Sequence, residues 1–192
     1  MENKSKKLNI GCAGYKKPGY INLDWQSIVE PDINHDLNTF PYPFQDNSFE
    51  LVEASHILEH LDRPFEVMKE LHRILKPGGR LLIRVPHFSR GMTHPEHSHG
   101  FDVTFPNYFN KRFKKIGFYG VEYDHVSTKL QWHAFSHIAK EMGIGLFART
   151  GVTLLNTAFT FMANLSPYMC SRLWCFWVGG FEEIRFELIC KK

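Results

Sequence analysis

Two short segments near the start of the sequence combine close backbone approach with a carboxylate. The first is L-N-I-G-C-A-G at Leu8 to Gly14, and the second is Y-I-N-L-D, which ends at Asp24. Glycine lets a turn pass close to a ligand, and a carboxylate at the end of a second strand can accept hydrogen bonds from ribose hydroxyls. The pair therefore predicts a nucleoside-binding frame.

The same segments do not fit the dinucleotide-binding fingerprint G-x-G-x-x-G. Counted from Gly11, the second and third glycine positions hold Ala13 and Lys16. Asp24 follows Gly11 by 13 residues, whereas the fingerprint expects an acidic residue roughly 20 positions on. The spacing therefore disfavours a nicotinamide-linked oxidoreductase.

A loop rich in histidine is the second group of residues that could do chemistry. It reads H-F-S-R-G-M-T-H-P-E-H-S-H and contains Glu96 and four histidines: His87, His94, His97 and His99. Imidazole nitrogens can ligate a divalent metal, but a loop does not fix two histidines at i and i+4 as a zinc-binding helix does. We predict no metal site. We expect the loop to bind a substrate or remove a proton, with structural or exposed histidines as the alternative.

Alternating apolar segments and helical patterns predict a parallel sheet covered on its faces. The apolar spacing after Pro64 predicts a helix that ends at Pro77-Gly78-Gly79, and a second helix is expected near Pro106 to Lys115. Leu130 to Gly180 is left open between helices packed on the sheet and a cover over the site. The predicted strands are Leu8–Gly11, Tyr20–Asp24, Ile33–Leu37, Phe49–Ala54, Arg80–Pro86, Phe118–Tyr123 and Glu183–Cys190.

The connection between the first two predicted strands is unusually short. Only Cys12 to Gly19 join them, and Pro18-Gly19 excludes a long helix. A parallel crossover usually needs about a dozen residues or more. We therefore expect a compact turn in place of the usual first helix.

Several further motifs follow in a fixed order along the chain. They are H-D-L-N, F-P-Y-P-F-Q-D-N-S-F-E-L-V-E-A-S-H-I-L-E-H-L and L-H-R-I-L-K-P-G-G-R-L-L-I-R-V-P. Together with the two opening segments they strongly resemble the class I S-adenosylmethionine-dependent methyltransferases, in the methyltransferase-11-like branch. The resemblance covers Leu8 to about Phe88 well and the tail more loosely. It implies a Rossmann-like class I methyltransferase fold, a mostly parallel sheet with helices on both faces and a short first crossover.

The resemblance also implies a cofactor, S-adenosylmethionine, and the residues that hold it. The glycine turn would lie beside the methionine part, Asp24 would hold the ribose hydroxyls, and Trp25 would lie against the adenine. The implied cofactor-binding residues are Gly11, Cys12, Ala13, Gly14, Asp24, Trp25, Asp36, Leu37, Ser55 and His56. For Asp24 the alternative is a strand-end cap, and for Trp25 it is plain core.

Two positions depart from the family pattern. The family usually has an acidic residue where this chain has Asn9, and a glycine where it has Ala13. Asn9 supplies no negative charge for the cofactor's ammonium, and Ala13 adds a methyl group where the backbone approaches closely. A catalytically degenerate methyltransferase fold, which binds cofactor or a partner without turnover, is therefore the alternative to an enzyme.

Methyl transfer to an oxygen acceptor requires removal of a proton, for which histidine is suited. The candidate bases are His87, His94 and His56, whereas Glu59 is expected to cap or pair. For His60, hydrogen bonding to backbone groups is favoured over a role in catalysis or binding. The expected acceptor is a small molecule, such as a sugar or polysaccharide-precursor hydroxyl.

Composition bounds the remaining questions. A net charge of +3 from 23 basic and 20 acidic residues gives no reason to invoke nucleic acid. The four cysteines lack paired spacing, which indicates a reducing, cytoplasmic setting, and no leader or transmembrane segment is expected.

We expect one methyltransferase domain over residues 1–192, with a cofactor core at 8–88 and an acceptor side at 89–192. The aromatic tail, Phe159 to Trp177, fits core, a homodimer contact or a cap for a lipid-linked acceptor.

Overall fold

A seven-stranded sheet forms the centre of the part of the chain that the computed structural model describes, residues 6–134, 141 and 143–192. The strands are β1 (Lys7–Ile10), β2 (Ile21–Asp24), β3 (Ile33–Asn34), β4 (Phe49–Ser55), β5 (Leu75–Pro86), β6 (Glu122–Gln131) and β7 (Glu183–Lys191). Their order across the sheet is β3-β2-β1-β4-β5-β7-β6.

The sheet is mostly parallel, with one reversed strand near its edge. β1 pairs in parallel with β2 and β4, β2 with β3, and β4 with β5. β7 lies antiparallel between β5 and β6. The carboxyl ends of β1, β4 and β5 therefore share one edge of the sheet with the beginning of β7. The predicted α/β fold class is confirmed.

The described helices are α1 (Pro64–Ile74), α2 (Phe88–Gly91), α3 (Leu146–Leu165) and α4 (Pro167–Arg172). α1 begins with proline at its first position, where no backbone donor is needed, and its apolar stripe is buried. The tyrosine hydroxyl of Tyr123 in β6 donates to the Met68 carbonyl at 2.9 Å and ties α1 to the far side of the sheet. The helix predicted after Pro64 is confirmed, but it ends at Ile74, before Pro77-Gly78-Gly79, which lie in β5.

The core is built by strand residues that alternate in and out of the sheet. In β7 four residues on one face are 2% exposed or less, as the alternation predicts: Ile184, Phe186, Leu188 and Cys190. They pack in one continuous cluster with buried residues of β1, β4, β5 and α1. Burial of such side chains contributes roughly 1.5–3 kcal/mol each.

The short crossover between β1 and β2 is confirmed as a turn without a helix. Asn22 in β2 holds it, because its side-chain oxygen accepts from the Lys17 backbone N–H at 2.8 Å and its amide donates to the Lys17 carbonyl at 3.2 Å. The Cys12 N–H also donates to the Leu23 carbonyl at 3.1 Å. Side-chain hydrogen bonds thus take the place of a helix.

Two predicted strand boundaries were wrong for local reasons. β3 stops at Asn34, because Asp36 opens a turn whose carbonyl accepts from the Thr39 N–H at 2.9 Å. The strand predicted at Phe118–Tyr123 begins only at Glu122, since Gly117 and Gly120 have φ of 102° and 86° and cannot lie in a strand.

The helix predicted near Pro106–Lys115 is instead two short 3₁₀ turns, Phe105–Phe109 and Lys111–Ile116. Asn110 between them is extended, with φ of −123° and ψ of 120°. This break prevents a continuous α-helix. β5 also begins earlier than predicted, at Leu75.

α3 has its polar side chains turned toward the sheet. Asn164 accepts from the Leu130 N–H at 2.9 Å and donates to the Leu130 carbonyl at 2.8 Å, while Thr160 accepts from the Trp132 N–H at 3.2 Å. These side chains form hydrogen bonds with backbone groups along the outer edge of β6 and just past its end. In the described sheet no further strand pairs with that edge. Several large apolar side chains of α3 point outward: Phe147, Leu154, Phe161 and Leu165 are exposed.

The sequence left the structure of Leu130–Gly180 open. The described part of this segment contains α3, α4 and a 3₁₀ turn at Trp174–Phe176. Residues 135–140 and 142 of that segment lie outside the described residues. Of the helices that are described, none combines the length and hydropathy needed to cross a membrane, α3 included.

Candidate active site

A cavity of about 830 Å³ opens at the carboxyl edge of the sheet. The turn after β1, the segment after β4 and the histidine loop after β5 form its walls. Its lining includes five of the predicted cofactor residues, Gly11, Cys12, Ala13, Ser55 and His56, and two of the predicted bases, His56 and His94. Ligands of open α/β folds bind at this edge.

The turn after β1 is shaped by Gly11, which has φ of 62°. A Cβ at this position would lie 2.5 Å from the Ile57 side chain. Glycine is therefore required both by backbone conformation and by space. Ala13 follows in a left-handed conformation as well, with φ of 42°.

Asp24 fixes this turn from the end of β2. One carboxylate oxygen accepts from the Ala13 N–H at 2.8 Å and the other from the Gln26 N–H at 3.0 Å. The side chain is only 5% exposed. Asp24 thus caps the strand end, and its predicted contact with a ribose diol, which would use the remaining lone pairs, stays a prediction.

The other predicted adenosine-side residues lie around the end of β2 and β3, outside the cavity lining. Trp25 is 65% exposed, so plain core does not describe it, and Leu37 is buried. Asp36 accepts from the Asn38 N–H at 2.9 Å. Around Gly14, a Cβ would meet no atom within 4 Å. Their roles in cofactor binding stay predictions.

Asn9, the position where the family usually has an acid, is buried and lines the cavity. Its amide donates to the Tyr15 carbonyl at 3.2 Å and to the Asn22 side-chain oxygen at 3.1 Å. The side-chain nitrogen is therefore committed to the turn. The side-chain oxygen is oriented by these two bonds and can accept a hydrogen bond.

His56 lies between two glutamates, with the backbone in a left-handed conformation (φ 51°). Its Nε2 is 2.8 Å from Glu183 Oε2, and its Nδ1 is 3.4 Å from Glu59 Oε1. Burial alone would lower the pKa of His56, but the hydrogen bond to Glu183 and the pairing with Glu59 outweigh it and raise the pKa to about 9. His56 is therefore a cation at neutral pH and has no lone pair to accept a proton.

His87 is fully buried beneath the histidine loop. Its Nδ1 lies 2.7 Å from the Ser89 hydroxyl and its Nε2 lies 2.8 Å from the Ser171 hydroxyl. Burial lowers its pKa to about 4. His87 does not line the cavity, and its contacts are those of a neutral structural histidine.

His94 lies at the cavity mouth in a cluster of three imidazoles. Its ring stacks on His97 with centroids 4.6 Å apart, and His60 meets His97 edge-on at 4.7 Å. All three line the cavity. The fold thus combines the H-I-L-E-H-L segment after β4 with the histidine loop after β5, which the sequence left as separate features.

Sequence reasoning missed the acidic residues that reach the site from the C-terminal part. Glu182 lines the cavity and pairs with Arg90 at 3.1 Å, and Glu183 pairs with His56. Glu183 is the first residue of β7 and Glu182 immediately precedes it; antiparallel pairing brings Glu183 beside Pro86 at the end of β5. The strand was predicted, but nothing local to it signals its direction.

Comparisons with known proteins agree with this architecture. Residues 17–83 match the family model described as a methyltransferase domain. The chain is 30% identical over 105 residues to a ubiquinone/menaquinone biosynthesis C-methyltransferase of Psychromonas ingrahamii, covering 55% of this chain and 41% of that protein. It is 44% identical over 41 residues to the enzyme of the same name from a Ruegeria species, covering 21% of this chain and 16% of that protein.

Solved structures show the same fold. A putative sarcosine dimethylglycine methyltransferase from Galdieria sulphuraria superposes with a TM-score of 0.58 at 14% identity, covering 98% of this chain and 78% of that one. A S-adenosylmethionine-dependent methyltransferase from Archaeoglobus fulgidus gives 0.53 at 16% identity, covering 95% and 85%. At these identities the likeness concerns the fold alone.

The family match over residues 17–83 bears out the resemblance to class I S-adenosylmethionine-dependent methyltransferases, and the superposed structures bear out the fold. The matched part of the chain spans less than half the length of the two curated relatives above.

Proposed function

We propose that this chain transfers a methyl group from S-adenosylmethionine to a small-molecule acceptor. The observation that carries the proposal is the cavity at the carboxyl edge of β1, β4 and β5, where Gly11, Ser55 and His56 converge. Its volume of about 830 Å³ lies within the range of small-molecule sites. The family match over residues 17–83 supports the same cofactor.

The residues around this edge fit S-adenosylmethionine, which when bound supplies an electrophilic methyl group on a sulfonium. The Asn9 side-chain oxygen would accept from its ammonium, and the turn Gly11–Gly14, with Cys12 and Ala13, would lie along the methionine part. Asp24 would hold the ribose hydroxyls. Around the nucleoside and the methionine side we place Trp25, Asp36, Leu37, Ser55 and His56.

Proton removal from a hydroxyl acceptor is assigned to His94. His94 lines the cavity and is exposed to it, whereas His87 is enclosed and His56 is already protonated. Replacement His94→Ala is expected to lower the rate about 10²-fold or more, with His125→Ala on β6 as the control. An unchanged rate in His94→Ala across pH 6–9 would show that His94 is not the general base.

The acceptor we propose is a sugar or polysaccharide-precursor hydroxyl. A screen of acceptors with radiolabelled methyl donor tests it. Because the curated relatives are named as C-methyltransferases of ubiquinone and menaquinone biosynthesis, the screen includes compounds of quinone biosynthesis. If only those compounds became labelled, the sugar assignment would be overturned, while the proposal of methyl transfer would be supported.

Cofactor binding is tested by calorimetric titration with S-adenosylmethionine, its demethylated product and NAD. Asp24→Asn should weaken binding about 10-fold or more, since a hydrogen bond to a charged group contributes about 1.5–3 kcal/mol. Asp46→Asn, at an exposed carboxylate paired with Arg73, is the matched control. Absence of binding in the wild-type protein, or preference for NAD, would overturn the proposal.

A degenerate scaffold is the second candidate, favoured by Asn9 and by the methyl group of Ala13 at the turn. Its signature would be tight binding of the demethylated product with no label transferred to any acceptor. Asn9→Asp and Ala13→Gly would restore the family residues. Transfer that appears only in this double variant would identify the natural chain as the degenerate form.

We also propose that the acceptor is carried on a lipid and that the outer face of α3 and the tail through Trp177 contacts an anionic lipid surface. Phe147 is 94% exposed and Trp177 is 84% exposed. Between Glu141 and Glu182 the sequence has no acidic residue and carries Arg149 and Arg172. Exposed aromatic and aliphatic side chains with only positive charge suit a headgroup interface.

Co-sedimentation with vesicles tests this surface. Binding is expected to vesicles of phosphatidylcholine with phosphatidylglycerol, to weaken with salt, and to be lost in the double variant Phe147→Ser, Trp177→Ser. Failure to bind any vesicle would overturn the proposal. If the wild-type protein is instead a dimer that this double variant splits, a homodimer contact replaces it.

For the whole chain we propose one methyltransferase domain over residues 1–192, acting in the cytoplasm. The free thiols of Cys12, Cys170, Cys175 and Cys190 support a reducing setting.

A further inference from the structure

Glu59 is a buried carboxylate with unused acceptors. The residue is 0% exposed, and neither of its oxygens has a hydrogen-bond partner among the described residues. The cationic His56 ring has its Nδ1 3.4 Å from Oε1, a distance beyond a good hydrogen bond. A fully buried carboxylate is costly even with one cation near a single oxygen, so a second positive charge beside it would be favoured.

Two imidazoles face the same point as Glu59. One nitrogen each from His60 and His97 and one oxygen of Glu59 all lie within 4.8 Å of one another. Metal–ligand bonds of about 2.0–2.1 Å place two ligand atoms at most about 4.2 Å apart. Side-chain movements of less than about 1 Å would therefore bring the three atoms onto one cation.

The local structure prepares these ligands. His97 Nδ1 lies 2.5 Å from the Gly91 carbonyl, to which it donates when protonated, so Nε2 is left as the ligand atom. Such a bond to the second ring nitrogen is the usual support of a metal-binding histidine. The Ser98 N–H donates to the Glu59 carbonyl at 2.9 Å and joins the two ligand-bearing segments.

The cluster also lies where a cation can enter. Glu59, His60 and His97 line the cavity at the carboxyl edge, and both histidines are partly exposed. Ser55 and the glycine turn lie across the same cavity. Three protein ligands leave coordination positions open toward the cavity.

We propose that Glu59, His60 and His97 bind a divalent transition-metal ion, of the zinc or iron(II) type that two imidazoles and one carboxylate suit. An open coordination position would hold the oxygen of a hydroxyl acceptor and lower its pKa, so that its proton passes to His94 or to water. This role, unlike the binding itself, rests on the proposed methyl transfer. It departs from the prediction that the histidine loop takes part in no metal site.

Cobalt(II) titration of chelator-treated protein tests the binding without any need for activity. We expect saturable visible absorption bands at one equivalent and competition by zinc. His60→Ala, His97→Ala and Glu59→Gln should each weaken binding by at least about tenfold. Glu96→Ala in the same loop and His125→Ala on β6 are the controls, and circular dichroism checks that each variant is folded.

Two results would overturn the site. One is no cobalt or zinc binding by the wild-type protein. The other is binding that survives in folded His60→Ala and His97→Ala, which would show that Glu59 serves only as counter-charge to His56. Calorimetry with the demethylated cofactor product is run in parallel, so that loss of the metal site is distinguished from failure of the proposed function. Chelator-sensitive methyl transfer, restored by zinc, would support the role in acceptor binding.

Discussion

The charge on His56 is the clearest electrostatic feature at the scale of single residues. Glu183 and Glu59 flank its ring, and together they reverse the effect of burial on its pKa. In turn, the pKa of Glu183 is lowered, because its hydrogen bonds to His56 and Arg185 outweigh burial. The left-handed backbone at His56 and the start of β7 place these groups together.

This coupling makes stability depend on pH. The folded pKa of about 9 lies above the ordinary value of 6.5, so the stabilisation is complete below pH 6.5 and is lost as pH rises through 9. The shift corresponds to roughly 3 kcal/mol. Urea unfolding at pH 6 and pH 9.5, with chelator present, should show the advantage of wild type over His56→Asn shrinking at the higher pH.

Asparagine is chosen for this variant because it tolerates the left-handed conformation. His125→Asn on β6 is the control, with a pKa that burial lowers. A wild-type advantage that stays constant over this pH range would contradict the charged state assigned to His56.

The glycine turn offers a matched pair of residues. Gly11 combines φ of 62° with a close approach to Ile57, whereas around Gly14 a Cβ would meet nothing within 4 Å. Gly11→Ala is expected to lower the free energy of unfolding by about 2–4 kcal/mol, from backbone strain and overpacking. Gly14→Ala should change it by less than about 0.5 kcal/mol. Equal losses measured by urea unfolding would refute this account of the turn.

At the scale of elements, local pattern identified most of the sheet and α1. Strands with strict alternation, such as β7, and the helix bounded by Pro64 and Pro77 followed directly from spacing. The wrong predictions for β6 and for the helix near Pro106 lay where Gly117, Gly120 and Asn110 interrupt apolar segments. β3 was shortened by the turn at Asp36. The average composition of a segment does not reveal the backbone conformation of a single residue within it.

α3 could not be predicted correctly from hydropathy, because its amphipathicity is inverted relative to the protein. An apolar stripe normally faces the core, yet here Asn156, Thr160 and Asn164 face β6. Asn164 bonds to both backbone groups of Leu130 in β6. Thr160 and Asn156 accept from the N–H groups of the two residues that follow β6. The need to satisfy these backbone groups outweighs apolar burial. Long-range hydrogen bonding of this kind has no signature in sequence spacing.

The inverted helix gives a second matched pair. Asn164→Leu removes both side-chain bonds to Leu130, whose backbone groups are left unpaired, and should cost about 2–3 kcal/mol of stability. Leu165→Asn, at the next position and 72% exposed, should change stability by less than about 1 kcal/mol. Thermal unfolding that found Leu165→Asn the more damaging variant would mean that α3 packs with its apolar face inward.

For the whole molecule, the decisive feature is that β7 lies inside the sheet. The cavity is lined by residues from the turn after β1, the segment after β4, the loop after β5 and the position that leads into β7. Sequence motifs located the first three, and the resemblance named residues among them. The contribution of Glu182 and Glu183 depended on strand direction and order, which are set by packing across the entire chain.

The same topology predicts that residues 8–88 and the C-terminal part unfold together. β7 pairs with β5 along its length, and the Lys192 ammonium donates to the Leu75 carbonyl at 2.7 Å. Neither part has a complete sheet without the other, so one cooperative transition is expected in urea. In a Trp25→Phe variant the remaining tryptophans, all in the C-terminal part, report on that part alone, while far-ultraviolet circular dichroism reports on all strands. Because the two parts share one core, the two midpoints should coincide, and a fluorescence transition clearly separated from the dichroism transition would divide the chain into two domains.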